Sequence, residues 1–133
     1  MHYSHDIRLP LPYAEVVPRV RAALAEQGFG ILTEIDVRAT LHEKLGEEME
    51  DYVILGACNP QLAHRALGVD RSLGLLLPCN VVVRTDGDAT LVQFLDPQIM
   101  VAVPEEDGLI IVAEEAGRRL AAARDSLSDA LIS

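Results

Sequence analysis

Hydrophobic and polar positions divide the chain into short alternating segments and longer segments of helical period. Alternation over residues 5–9 predicts a first strand, and residues 30–36 predict a second. The apolar run over residues 52–57 predicts a third strand, buried on both faces and hence central. An apolar segment over residues 74–84 contains a fourth strand, and a turn leads into an antiparallel fifth strand over residues 90–95. The pattern therefore predicts about five strands.

Helical periodicity predicts the elements that join these strands. The first helix ends near Gln27, but Pro18 removes a helix donor, so the helix either begins near Val17 or is kinked. A short helix follows over residues 37–45, and a long C-terminal helix begins near Glu105. The apolar stripe of that last helix comprises Leu109, Val112, Ala113, Ala116, Leu120, Ala123 and Leu127. We predict an α+β fold: one compact domain over residues 1–133, with a mixed β-sheet packed against helices.

Composition narrows the classes of function. The chain has 133 residues, half of them hydrophobic, with five aromatic residues and no Trp, so the core is built from aliphatic side chains. A net charge of −10 argues against nucleic-acid binding, because a phosphate backbone would be repelled. No apolar stretch approaches the roughly 20 residues that span a bilayer. The polar N-terminus lacks the apolar region of a signal peptide. We therefore expect a cytoplasmic protein without membrane contact, in which cysteines are kept reduced.

The two cysteines occur in matching settings. Each is followed by asparagine and stands near a proline, in Cys58-Asn59-Pro60 and in Pro78-Cys79-Asn80, and an apolar run leads into each segment. This repetition marks Cys58, Asn59, Cys79 and Asn80 as the candidate ligand-binding residues.

Cys58 is the stronger candidate, because a helix is predicted to start directly after it. Asn59 followed by Pro60 is typical of a helix N-cap and N1 position, and this third helix should end near Leu67. A helix N-terminus stabilises a thiolate, which would lower the pKa of Cys58 and make it a nucleophile or a soft-metal ligand. The same amides could hold a small anion. The simpler interpretation is a buried cysteine that fills space.

Cys79 has core filling as its default role, because it lies near Pro78 in an apolar strand. Asn80 stands within that apolar run, so its side chain is expected to need a buried partner or a ligand. Parallel third and fourth strands would separate Cys58 and Cys79 by on the order of 15 Å. Antiparallel strands, a fourth strand whose start is displaced by Pro78, or dimerisation could bring them together. A structural disulfide is disfavoured, and a reversible redox pair is left open.

His64 is the remaining candidate, about one and a half turns into the third helix. Together with Cys58 and Asp96 it would resemble a thiol hydrolase, although an exposed helical histidine is the simpler interpretation. Two cysteines that lack Cys-x-x-Cys spacing are only a weak indication of a structural zinc site, so no metal ligands are assigned. No P-loop or dinucleotide fingerprint occurs, and the cofactor stays unknown.

Four segments of the chain together resemble one family, namely residues 28–36, 39–46, 54–60 and 75–81. It is the bacterial and archaeal family catalogued as domain of unknown function 302, and the similarity extends over nearly the whole chain. Both Cys-Asn segments match its pattern, whereas Pro18 departs from it. The resemblance implies a compact α+β fold and homodimers, and it implies no activity.

Three hypotheses for function follow. The first is a ligand-binding or thiol- and metal-sensing module that holds a small anion, a soft metal or a thiol-reactive ligand near Cys58. The second is a thiol enzyme with Cys58 as nucleophile, which requires a base within hydrogen-bond reach. The third is a structural or interaction protein whose Cys-Asn segments serve packing and capping.

Overall fold

The computed structural model describes residues 3–129 of the chain, and it contains one five-stranded sheet with helices packed against it. The strands are β1 (Ser4–Leu9), β2 (Gly30–Asp36), β3 (Tyr52–Cys58), β4 (Cys79–Asp86) and β5 (Ala89–Leu95). The α-helices are α1 (Tyr13–Glu26), α2 (Val37–Leu45), α3 (Pro60–Val69), α4 (Ile99–Ala102) and α5 (Ile110–Asp129). Two 3₁₀ turns cover Arg71–Leu76 and Asp107–Leu109. The predicted α+β class is confirmed.

The sheet is antiparallel throughout the described chain, in the order β1-β5-β4-β3-β2, so the prediction of a mixed sheet was wrong. The reason lies in the connection from β3 to β4. A parallel pair needs a crossover that carries the chain back along the full strand length. Here α3 and the 3₁₀ turn after it return the chain to the end of the sheet at which β3 finished, because Ala57 pairs with Cys79.

The first helix begins before Val17, which contradicts the first of the two predicted alternatives. It starts at Tyr13, with Pro12 at its N-cap position, and includes Pro18 in its second turn. The amides of Glu15 and Val16 bond to the Pro12 carbonyl, so the helix is already formed before Pro18. Gly28 follows its end with a φ of +84°, a left-handed conformation in which glycine commonly terminates a helix.

The apolar residues form two clusters that α5 connects. The main core lies between one face of the sheet and helices α1 and α5, with Leu24, Leu55 and Phe94 fully buried. The second cluster packs α3, the 3₁₀ turns and α4 against the first half of α5, and it includes Leu73 and Met100. The predicted stripe of the last helix is buried along its whole length and is divided between the two clusters. The second cluster contains Leu109, Val112, Ala113 and Ala116. The main core contains Leu120, Ala123 and Leu127.

The second face of the sheet, called the open face below, is only partly buried in the described chain. Strand alternation buries Leu55 and Val81 on the helix side and leaves Ile54 and Val82 half-buried on the other side. Ile35 on the neighbouring strand is 47% exposed. Among residues 3–129, no helix has both the length and the apolar character that crossing a membrane requires.

Candidate functional site

The antiparallel pairing of β3 and β4 brings the two cysteines together. Ala57 is the register partner of Cys79, so Cys58 lies diagonally across from Cys79 at the same end of the sheet. Both cysteines line one cavity, and both are free thiols. The topology has therefore selected the arrangement in which the cysteines converge.

The cavity lies at the junction of the two apolar clusters. The main core contributes Phe29 and Ala57, while α3 and α5 contribute Leu62, Ala66, Val112 and Ala116. The space open to the centre of a water-sized sphere is about 20 Å³. One water needs at least about 10–15 Å³ by that measure, whereas pockets for organic ligands span several hundred Å³. The cavity is therefore large enough for a single water molecule or a single ion, and too small for an organic ligand.

Burial makes both thiols weaker acids. It raises the pKa of the half-buried Cys58. Cys79 is 6% exposed, and burial, followed by the charge of Cys58, raises its pKa to about 11. The lowered pKa predicted for Cys58 was wrong in direction, because removal from water disfavours the thiolate. Both sulfurs are accordingly protonated at neutral pH.

The start of α3 explains why its amides do not activate Cys58. Asn59 is the predicted N-cap, and its Oδ1 accepts a hydrogen bond from the Leu62 amide at 3.2 Å. The Ala63 amide donates to the Asn59 carbonyl, and Pro60 has no N–H. Asn59 thus satisfies donors that a small anion would need, which removes the main support for an anion at this position.

A polar group that the sequence analysis did not identify lies beside Asn59. A Cβ atom at Gly28 would be 2.9 Å from Asn59 Nδ2 and 3.0 Å from Arg119 Nη1, so only glycine fits there. Arg119 donates to the Gln27 carbonyl at 3.3 Å and to Glu115 at 2.8 Å. The i,i+4 spacing of Glu115 and Arg119 was visible in the sequence, but their position at the end of α1 was not.

Asn80 lies outside the cavity. Its side chain is exposed and lines a shallow depression on the open face of the sheet together with Tyr52 and Val82. The expectation of a buried partner was wrong, because adjacent strand residues point to opposite faces, and Cys79 already points inward. The second Cys-Asn segment therefore contributes only its cysteine to the cavity.

His64 is exposed on α3 and is absent from the cavity wall. Asp96 lies elsewhere, with its Oδ2 3.2 Å from His5 Nε2. The triad of Cys58, His64 and Asp96 is therefore not assembled. Among the described residues that line the cavity, none is a histidine, aspartate or glutamate that could act as a base.

Met100 is a site residue that sequence reasoning missed. It is 3% exposed and lines the cavity with Cys58 and Cys79, so three sulfur-bearing side chains surround one small space. No local pattern in the sequence indicates this, because Met100 belongs to a short helix that lies 21 residues beyond Cys79. Within residues 3–129, no group of three or more His, Cys, Asp or Glu side chains is arranged to hold a metal ion.

Comparison with known proteins gives two findings. The model of the family described as domain of unknown function DUF302 matches residues 5–127. A crystal structure of an uncharacterized conserved DUF302 protein from Bacillus stearothermophilus is similar, with 30% sequence identity and a TM-score of 0.87. The similarity covers 94% of this chain and 98% of that chain. No curated protein matches the chain significantly.

Proposed function

The chain belongs to the DUF302 family, and we propose that it is a ligand-binding module whose ligand is a soft metal ion or an equally small thiol-reactive species. One observation carries this proposal: Cys58 and Cys79 line the same cavity of atomic size. Thiolates are the protein ligands that soft metals prefer. Cys58 is half-buried, so one of the two thiols is partly accessible to solvent, whereas Cys79 is buried.

The geometry supports this function better than the two alternatives. A thiol enzyme needs an activated nucleophile and a nearby base, whereas burial raises the pKa of Cys58 and the described cavity wall offers no such base. A purely structural role predicts two fully buried cysteines, and Cys58 is only half-buried. The small-anion version of the binding hypothesis is weakened because the Asn59 side chain already accepts the Leu62 amide and Pro60 has no N–H.

Calorimetric titration of the reduced protein with Ag(I) at neutral pH tests the proposal. We expect one ion per chain, with affinity lowered by at least about 100-fold, or about 2.7 kcal/mol, in Cys58→Ser and in Cys79→Ala. Asn80→Ala is the matched control, because Asn80 faces away from the cavity. If either cysteine variant binds Ag(I) as tightly as the wild type, the thiols act independently and the proposal is wrong.

We also propose that the protein forms homodimers, as the family resemblance implies. Partly exposed apolar side chains on the open face of the sheet, including Ile35, Ile54 and Val82, support self-association. Sedimentation at micromolar concentration should give twice the chain mass, and Val82→Lys should shift the mass toward one chain. A wild-type protein of single-chain mass at that concentration contradicts the proposal.

A further inference from the structure

We infer that Met100 supplies a third sulfur ligand and that the site selects a monovalent soft cation, Cu(I), over Zn(II). This inference rests on the proposed soft-metal function and names its ligand. The observation behind it is the convergence of Cys58, Cys79 and Met100 on one cavity. They come from three separate elements, the end of β3, the start of β4 and helix α4.

The donor set favours a soft ion. Thiolate and thioether sulfur are the ligands that select Cu(I) in proteins. A structural zinc site takes four ligands, normally cysteine and histidine, in a tetrahedron. The described wall of this cavity offers two cysteines and no histidine or carboxylate. Three sulfurs around one atom-sized space match a low-coordinate monovalent ion.

Protons and charges balance without any change of oxidation state. Cu(I) enters as a monovalent ion, and the two thiols each lose one proton to solvent as two sulfur–copper bonds form. The thioether of Met100 donates a lone pair and releases no proton. The resulting bis-thiolate complex carries one negative charge. Because each thiol gives up a proton when it binds the ion, binding should tighten as pH rises.

Packing is the competing explanation for Met100, since it also belongs to the second apolar cluster. Methionine commonly fills irregular gaps between helices. Met100→Leu separates the two roles, because leucine has a similar volume but no sulfur. Met49 in the α2–β3 connection does not line the cavity, so Met49→Leu is the matched control for loss of a thioether elsewhere.

The experiment is an anaerobic competition for Cu(I) against a chromophoric chelator, with Zn(II) binding measured in parallel. We expect the wild type to bind Cu(I) much more tightly than Zn(II). Met100→Leu should weaken Cu(I) binding by at least about tenfold, while Met49→Leu leaves it unchanged. X-ray absorption at the copper edge should find three sulfur neighbours in the wild type and two in Met100→Leu.

The outcomes separate this inference from the proposed function. If the cysteine variants lose Cu(I) binding while Met100→Leu keeps the wild-type affinity and three sulfur neighbours, Met100 is not a ligand. The thiol site would then still be supported. Zn(II) binding as tight as that of Cu(I) overturns the selectivity. A wild type that binds Cu(I) no better than the double variant lacking Cys58 and Cys79 overturns the inference and the proposed function together.

Discussion

The two Cys-Asn segments have the same dipeptide and opposite local environments. At Cys58-Asn59, a strand runs into a helix, and the asparagine turns inward to cap that helix. At Cys79-Asn80, a strand begins and continues, and the asparagine points outward on the open face of the sheet. The burial of the cysteines follows the opposite order to that of the asparagines: Cys58 is half-buried, whereas Cys79 is buried.

The same dipeptide therefore has a different environment in each of its two positions. The following residue decides the backbone, because Pro60 suits the first turn of a helix and Val81 continues a strand. A strand places neighbours on opposite faces, whereas a cap lets the asparagine bond to its own helix. The pairing of β3 with β4 is what brings the two sulfurs to one cavity.

The largest expected contrast is in thiol reactivity. Raising the Cys79 pKa from 9.0 to about 11 lowers its thiolate fraction at pH 8 by about 100-fold. In single-cysteine proteins, Cys79 in Cys58→Ser should still be alkylated by iodoacetamide much more slowly than a free thiol, because burial is the larger cause of its raised pKa. Cys58 in Cys79→Ser should have an intermediate rate, because it is less buried. Equal rates for the two thiols would erase the proposed difference between the segments.

The second contrast is in stability at high pH. Cys79 keeps its proton to about pH 11 in the folded protein, while the unfolded thiol releases it near pH 9.0. The unfolded state therefore binds fewer protons above pH 9, and the free energy of unfolding should fall by up to about 2–3 kcal/mol between pH 9 and 11. Urea unfolding of wild type and Cys79→Ala at pH 8 and pH 10.5 measures this, and the variant should show a smaller fall.

Tyr13 also has a raised pKa, but it does not affect the comparison of wild type with Cys79→Ala. Burial, followed by the charge of Asp36, raises the Tyr13 pKa to about 12, which also lowers stability at high pH. Because Tyr13 is present in both proteins, the difference between them isolates Cys79. Parallel losses of stability in wild type and variant would contradict the buried environment assigned to this thiol.

A third prediction concerns the point where the two segments touch. A Cβ atom at Gly56 would overlap the Thr33 side chain and lie 2.8 Å from Pro78 Cγ. Gly56→Ala should destabilise the protein by about 1–3 kcal/mol, because a packed neighbour has to shift. Gly117→Ala on α5 is the control, since its Cβ meets open space, and it should be stabilising by up to about 1 kcal/mol. Denaturant unfolding measures both, and a neutral Gly56→Ala would show that this contact is not tight.

The smallest expected effect compares the two asparagines. Asn59→Ala removes the cap of α3 and should cost about 1 kcal/mol of unfolding free energy. Asn59→Asp, which keeps the accepting oxygen, should cost less. Asn80→Ala on the exposed face should change stability by less than about 0.5 kcal/mol. If Asn59→Ala and Asn80→Ala lower the free energy of unfolding equally, the Asn59 cap does not stabilise the protein measurably.

Local features of the site were predictable because they depend on neighbours in the sequence. The Asn59 cap with Pro60 after it predicted the start of α3 correctly. The long apolar stripe from Leu109 to Leu127 correctly predicted the buried positions of α5 and of the 3₁₀ turn that precedes it. By contrast, the pKa direction of Cys58 depends on the groups that exclude water from it, and those come from other elements.

The sequence alone determined the identity and approximate bounds of the strands and helices, because hydrophobic period, caps and turn residues act over a few positions. Which strands pair depends on contacts between distant parts of the chain, and that pairing places Cys58 near Cys79 while Asn80 faces away. The same holds for Met100, which lies 21 residues beyond Cys79 and reaches the cavity through packing of α4 against the second cluster. Contacts of this kind depend on where whole elements meet, and no short stretch of the chain encodes that meeting point.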